Sequence, residues 1–362
     1  MILLVFGIVM MFSASYADAI SKGRSGTFYA RKQIIMAGVG VVAMFLLSHI
    51  DYHVFFRKSV AYLMFAGCVL LLILVIIPGI GVDHNGAQRW LQIGIKIGFE
   101  YQPSEIMKFS IIILFSYLIT INGERMGKFK TGILPYMVML GVVAALMMKQ
   151  PHLSGTLIIC MLGVILIFIG GAKLHHLLLT GAVGLGGLAA VVFYMSAKGY
   201  TYFSERFQSW IDPASDKTGD TYQTWQSLIA IGSGGLFGLG LGESRQKYFI
   251  PETQNDFVFA IICEELGFVG AVTVILLFAM FVFRGFYIAS KAPDKFGMLI
   301  CVGLTVQVAI QAFLNIAVVS NFIPNTGISM PFFSYGGTSL VMLLAQMGII
   351  LNISRQAVMD VN

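Results

Sequence analysis

Ten runs of apolar side chains, at about 1–17, 33–48, 59–77, 106–121, 132–148, 154–171, 176–195, 257–283, 297–319 and 336–353, leave this chain few ways to fold. Each is near the ~20 residues a helix needs to cross a bilayer. Of the 362 residues, 57% are hydrophobic and 11% charged, where soluble domains carry roughly 25% charged residues. A soluble enzyme is excluded. So is a single anchor bearing a large globular domain, because no polar stretch exceeds about 60 residues. The expectation is an all-α polytopic membrane protein of about ten transmembrane helices. It forms one integral membrane domain over 1–362, with a long loop at about 196–256 between the seventh and eighth helices.

An even number of spans puts both ends on one side. With the N-terminus inside, the short inner connections hold Arg57, Lys58, Arg125, Lys128, Lys130, Lys173, Arg284, Lys291 and Lys295, with Arg355 in the tail. That density of basic residues favours an N-in, C-in orientation, although Lys22, Arg24, Arg31 and Lys32 on the outer side oppose it. Segments 78–104, 149–154, 196–256 and 320–338 then face outward, and they carry most of the tryptophan, proline and titratable residues. The first run begins at Met1, which suggests a short cytoplasmic leader ahead of it. Ala17-x-Ala19 resembles a signal-peptidase site but lacks a basic region before it. The net charge of +6 follows from this topology. No basic stripe on a soluble surface exists, so nucleic acid is not an expected partner. Cys68, Cys160, Cys263 and Cys301 all lie in apolar runs and read as small buried hydrophobes.

Membrane physics singles out a few residues. Lys108 lies a turn into an apolar helix, where an unpaired ammonium is costly, and Glu105 is its i,i+3 neighbour. Ser104 and Glu105 also suit a helix start after Pro103. The pair is thus either a structural ion pair or a contact for an anionic substrate. Asp256 opens the eighth span among aromatic neighbours, as a helix cap or as a half-desolvated base. Glu264 is expected about 80° around and 12 Å deeper, with Glu265 facing elsewhere. The glycine run Ile231–Gly242 does not spell a dinucleotide motif and reads as tight backbone approach in an interfacial segment. Arg89, Arg206, Arg245 and Lys247 fall in outward loops, where they meet either phospholipid headgroups or a phosphate-bearing ligand. Six histidines show no metal spacing.

Several segments carry a family resemblance. They are Asn85-Gly-Ala-Gln-Arg-Trp-Leu91, Gln102-Pro-Ser-Glu-Ile-Met-Lys108, Gln150-Pro-His-Leu-Ser-Gly-Thr156, Arg206 with Asp212-Pro213, Pro251-Glu-Thr-Gln-Asn-Asp-Phe-Val-Phe259 running into Glu264-Glu-Leu-Gly-Phe268, and Thr326-Gly-Ile-Ser-Met-Pro-Phe-Phe-Ser-Tyr-Gly-Gly-Thr338. In this order, over nearly the whole chain, they resemble the SEDS family (shape, elongation, division and sporulation) of FtsW, RodA and SpoVE proteins. The Thr326-Gly327 form is closer to the division and sporulation branch. His152 departs from the pattern, since many members carry an acid there.

The resemblance implies a peptidoglycan glycosyltransferase that polymerises lipid II at the outer face of a bacterial cytoplasmic membrane, among membrane lipids, beside a class B penicillin-binding protein. It places the catalytic aspartate on Asp256 and the paired fourth-helix residues on Glu105 and Lys108. The implied reaction joins a GlcNAc 4-hydroxyl to the anomeric carbon of a MurNAc carrying a lipid pyrophosphate, with inversion. The leaving group calls for cations from among Lys108, Arg89, Arg206, Arg245 and Lys247, with a divalent ion (Mg or Mn) as a further source of charge. Glu264 is a supporting candidate, and Glu252 is the first alternative base. Two other readings stay open: a lipid II flippase, in which Glu264 and Glu265 line the path, and a scaffold that recruits the penicillin-binding protein.

Overall fold

The computed structural model describes residues 1–77, 79–84, 87–93, 99–197, 207, 209–214 and 221–357. The helices are α1 (Ile2–Ser21), α2 (Phe28–His49), α3 (Lys58–Ile76), α4 (Pro103–Asn122), α5 (Leu134–Lys149), α6 (Leu153–Ile169), α7 (Leu174–Ala197), α8 (Tyr222–Ser233), α9 (Val258–Ser290), α10 (Lys295–Val319) and α11 (Gly337–Gln356). Every one of the ten apolar runs falls on one of these helices. Among the described residues, eight helices are long and apolar enough to cross a membrane, and the apolar α6 is a little shorter. Exposed side chains such as Val39, Val42, Phe45 and Leu46 of α2 are what a lipid-facing surface requires.

Two features depart from the run of helices expected. Three strands, β1 (Gly81–His84), β2 (Ala87–Ile93) and β3 (Phe99–Tyr101), form an antiparallel sheet in the order β1-β2-β3. β1 and β3, four and three residues long, leave too few positions for a two-residue alternation to register, and β2 (AQRWLQI) does not alternate strictly. The short helix α8 lies within the loop assigned to 196–256.

The chain divides into two compact units, one of residues 1–38, 185–281 and 309–337, the other of residues 39–184, 282–308 and 338–362. In the second unit, helices approach closely at glycine: a Cβ on Gly348 of α11 would lie 2.3 Å from the Met44 carbonyl oxygen of α2. Gln307 of α10 donates to Gln346 of α11 at 3.1 Å. Small residues and interhelical polar pairs are the usual glue of membrane bundles, where lipid is as apolar as leucine.

In the first unit, α9 is broken at Gly267, with φ 64° and ψ −161°. The glycine run lies against this break. Leu239 and Gly240 donate to the carbonyls of Glu264 and Glu265 at 2.9 and 3.0 Å, while Phe268 and Val269 donate to Gly235 and Leu236 at 2.9 and 3.1 Å. The run thus supplies partners to a backbone that no longer bonds within its own helix, which is how irregular backbone survives at membrane depth. A Cβ at Gly238, itself at φ 79°, would sit 2.1 Å from the Glu265 carbonyl oxygen. Gly238→Ala is expected to lower stability by about 2 kcal/mol, read as an earlier thermal unfolding midpoint in detergent. An unchanged midpoint would show that the run has slack.

Candidate active site

The segment Pro251–Asp256 is fixed from several directions within the first unit. Thr253 Oγ1 donates to the Ala14 carbonyl at 2.7 Å, and Gln254 Nε2 to Asp18 Oδ2 at 3.2 Å, both on α1. The Gln254 carbonyl accepts from Tyr335 N at 2.7 Å. Glu252 turns the chain at φ 52°. Its carboxylate is exposed and accepts from Asn255 Nδ2 at 3.0 Å.

Asp256 follows, half-buried. The first turn of α9 is accepted by Phe257, whose carbonyl takes Ala260 N at 3.0 Å, so Asp256 stands one residue outside the N-cap position. Asn315 of α10, fully buried, uses one amide nitrogen to bind the Asp256 carbonyl at 2.8 Å and the Ile328 carbonyl at 2.6 Å. That amide joins the Asp256 segment to the 326–328 loop. There, a Cβ on Gly327 (φ 65°) would lie 3.1 Å from Asp256 Oδ2. Asn315 and Gly327 were not picked out from sequence as neighbours of Asp256. The available signal was an amide inside an apolar span, which needs a partner in the protein.

Glu264 and Glu265 are both fully buried. Glu264 accepts from Ser244 Oγ, from Arg245 N at 3.0 Å and from Gln246 N at 3.2 Å. Glu265 Oε1 accepts from Ser13 Oγ of α1 at 2.6 Å and from Lys247 Nζ at 3.4 Å. The expectation that the two acids face apart is corrected: both reach residues 244–247, because that loop folds over the break in α9. The Lys247 ammonium also donates to the Gly242 carbonyl and is itself buried, so this cation is engaged inside the protein. The Arg245 side chain is exposed. Arg206 lies outside the described residues.

The second unit gathers a different set. Lys108 is 2% exposed, and its Nζ lies 2.8 Å from Glu105 Oε1 in the first turn of α4. Arg89 of β2 donates to the Pro151 carbonyl. The next residue, His152, is buried, with Gln102 Nε2 at 3.4 Å from its Nε2. Burial, with Arg89 and Lys108 close by, pushes the His152 imidazole down to about 3. It is therefore neutral and adds no third positive charge. The structure thus brings Arg89, Glu105 and Lys108 together with His152. Among the described residues, no three His, Cys, Asp or Glu side chains are grouped as a metal site.

Known proteins share this architecture. Residues 1–358 match the FtsW/RodA/SpoVE family model, described as cell cycle protein. The chain is 39% identical over 356 residues to stage V sporulation protein E of Bacillus subtilis (strain 168), covering 98% of this chain and 94% of that protein. It is 37% identical over 354 residues to the probable peptidoglycan glycosyltransferase FtsW of Geobacter sp. (strain M18), covering 98% and 94%. Among solved structures, a chain from work on the structural coordination of polymerization and crosslinking by a peptidoglycan synthase complex superposes with a TM-score of 0.77 at 26% identity, over 99% of this chain and 98% of that one. The rod shape determining protein RodA of Thermus thermophilus gives 0.66 at 26% identity, over 99% and 97%.

Proposed function

We propose, for a chain that belongs to the FtsW/RodA/SpoVE family, that it is a peptidoglycan glycosyltransferase with Asp256 as general base. It polymerises lipid II at the outer face of the cytoplasmic membrane for septal or spore wall synthesis. The observation that carries the assignment of the base is the mounting of Asp256. Its carboxylate stands outside the helix cap and beside Gly327, on a segment tied down by Thr253, Gln254 and Asn315.

A sugar hydroxyl is a poor nucleophile, so its proton must pass to a nearby base as the new bond forms. In this reading the Asp256 carboxylate takes the proton of the GlcNAc 4-hydroxyl. The oxygen attacks the anomeric carbon of MurNAc from the side opposite the pyrophosphate, and the bond to pyrophosphate breaks with inversion. A base fixed by bonds from three directions loses little geometry between turnovers. Arg245, whose side chain is exposed on the unit that carries Asp256, is the described cation assigned to the charge that develops on the leaving pyrophosphate. Lys247 is assigned instead to holding the 242–247 loop, because Glu265 and the Gly242 carbonyl already occupy it. Glu264 has the same structural role.

A class B penicillin-binding protein is the proposed partner, in keeping with the likeness to a chain of a peptidoglycan synthase complex. The flippase reading relied on Glu264 and Glu265 lining a path, and both carboxylates instead bind residues 244–247. The test is purified chain with its transpeptidase partner and lipid II supplied on the accessible side. Glycan polymer is the expected product, and a complete absence of polymer would overturn the transferase reading.

A further inference from the structure

The turn between α1 and α2 carries a charge that the proposed chemistry leaves unused. Lys22, Arg24, Arg31 and Lys32 are all exposed, and Asp18 is the only carboxylate in residues 1–50. Both flanking helices are long and apolar enough to cross a membrane, and only residues 22–27 join them. The four cations therefore stand where two spans leave the hydrocarbon, at headgroup depth.

Asp18 does not neutralise them. Its carboxylate is shared among Lys22 Nζ at 2.9 Å, Tyr29 OH at 2.6 Å and Gln254 Nε2 at 3.2 Å. No second acid in this stretch offsets Arg24, Arg31 and Lys32. Two of these converge on one ring: Arg24 Cζ lies 4.5 Å and Lys32 Nζ 4.8 Å from the centre of Phe28. The ring attracts each of them, but it also holds two like charges within about 9 Å of each other, where they repel. An anionic group with several oxygens, placed against both, turns that repulsion into attraction.

The platform beneath is rigid. Tyr29 is buried with Met11, Ala19 and Ala30, and its ring meets Tyr335 edge-on at 5.0 Å. Gln33 Nε2 donates to the Ser334 carbonyl at 3.1 Å and Gln33 Oε1 accepts from Gly336 N at 3.3 Å. Cations anchored on such a surface are preorganised, so a ligand has little ordering cost to meet.

We propose that this turn is a binding site for the phosphate of an anionic phospholipid, with Arg24 and Lys32 as its ligands, Phe28 as the surface between them and Arg31 at its flank. The bilayer is the source of phosphate always present at this depth, and a diester headgroup carries the charge that the turn lacks. The site does not depend on Asp256 being the base.

The test places the full chain in phosphatidylcholine nanodiscs and compares the association of spin-labelled phosphatidylglycerol with that of spin-labelled phosphatidylcholine. The native chain is expected to prefer the anionic lipid, and the double variant Arg24→Gln/Lys32→Gln to lose that preference by about threefold or more. Lys128→Gln/Lys130→Gln, which removes the same charge from another turn, is expected to keep it. All four side chains are exposed, so matching unfolding midpoints are expected and serve as the control for folding. Equal preference in the native chain and the Arg24/Lys32 variant would overturn the site. So would an equal loss in the Lys128/Lys130 variant, since the effect would then be one of overall charge. Displacement of the labelled lipid by a polyprenyl pyrophosphate, at concentrations where unlabelled phosphatidylglycerol displaces none, would assign the turn to substrate and overturn the phospholipid assignment.

Discussion

Replacing Asp256 with Asn is expected to slow glycan polymerisation by about 10²-fold or more, with substrate saturating, while the protein still folds and binds its partner. Asn matches Asp in size and caps helices about as well, so a purely structural role predicts no such loss. The structure sharpens the comparison, because the first turn of α9 is accepted by Phe257 and the Asp256 carboxylate lies next to Gly327. Asp256→Glu is expected to recover little, since one methylene moves the carboxylate by more than an ångström and reacting geometry tolerates less. An unreduced polymerisation rate in Asp256→Asn would leave Asp256 a structural residue. Glu252, exposed at the turn four residues earlier, would then be the next base to examine.

Replacing Lys108 with Met is expected to cost on the order of 3 kcal/mol of stability and most of the activity. Met fills the space of the lysine stem. It also strands the Glu105 carboxylate, whose side chain is 15% exposed and whose partner at 2.8 Å would be gone. An uncompensated half-buried charge is what makes breaking such a pair more costly than never having it. Exchanging the two charges, as Glu105→Lys with Lys108→Glu, restores the attraction. It is expected to recover the thermal midpoint more fully than the polymerisation rate, because the attraction is restored while the ammonium projects from position 105 instead of 108. Native stability and activity in Lys108→Met would show that the lysine is dispensable to both.

Hydrophobic patterning was enough to place the helices, because a bilayer demands long apolar stretches and tolerates few charges within them. The same demand made Glu105, Lys108, Glu264 and Glu265 conspicuous, since each must find a partner or water. Asp256 owed its prominence to its place at a span's edge and to the family motif around it. The partners themselves were not legible. Ser13 is 252 residues from Glu265, and Asn315 is 59 from Asp256. No local period encodes which distant donor satisfies a buried acceptor.

The break in α9 illustrates the division most clearly. The sequence by itself determined that residues 257–283 are apolar enough to span, that two acids sit among them and that a glycine-rich segment lies upstream. Only the tertiary structure decided that Gly267 takes a left-handed conformation, that the glycine run replaces the lost helical hydrogen bonds and that both carboxylates turn to residues 244–247. The physical reason is that apolar transfer is summed along the chain and can be read from it. Hydrogen-bond satisfaction is settled in three dimensions, by whichever backbone arrives within about 3 Å.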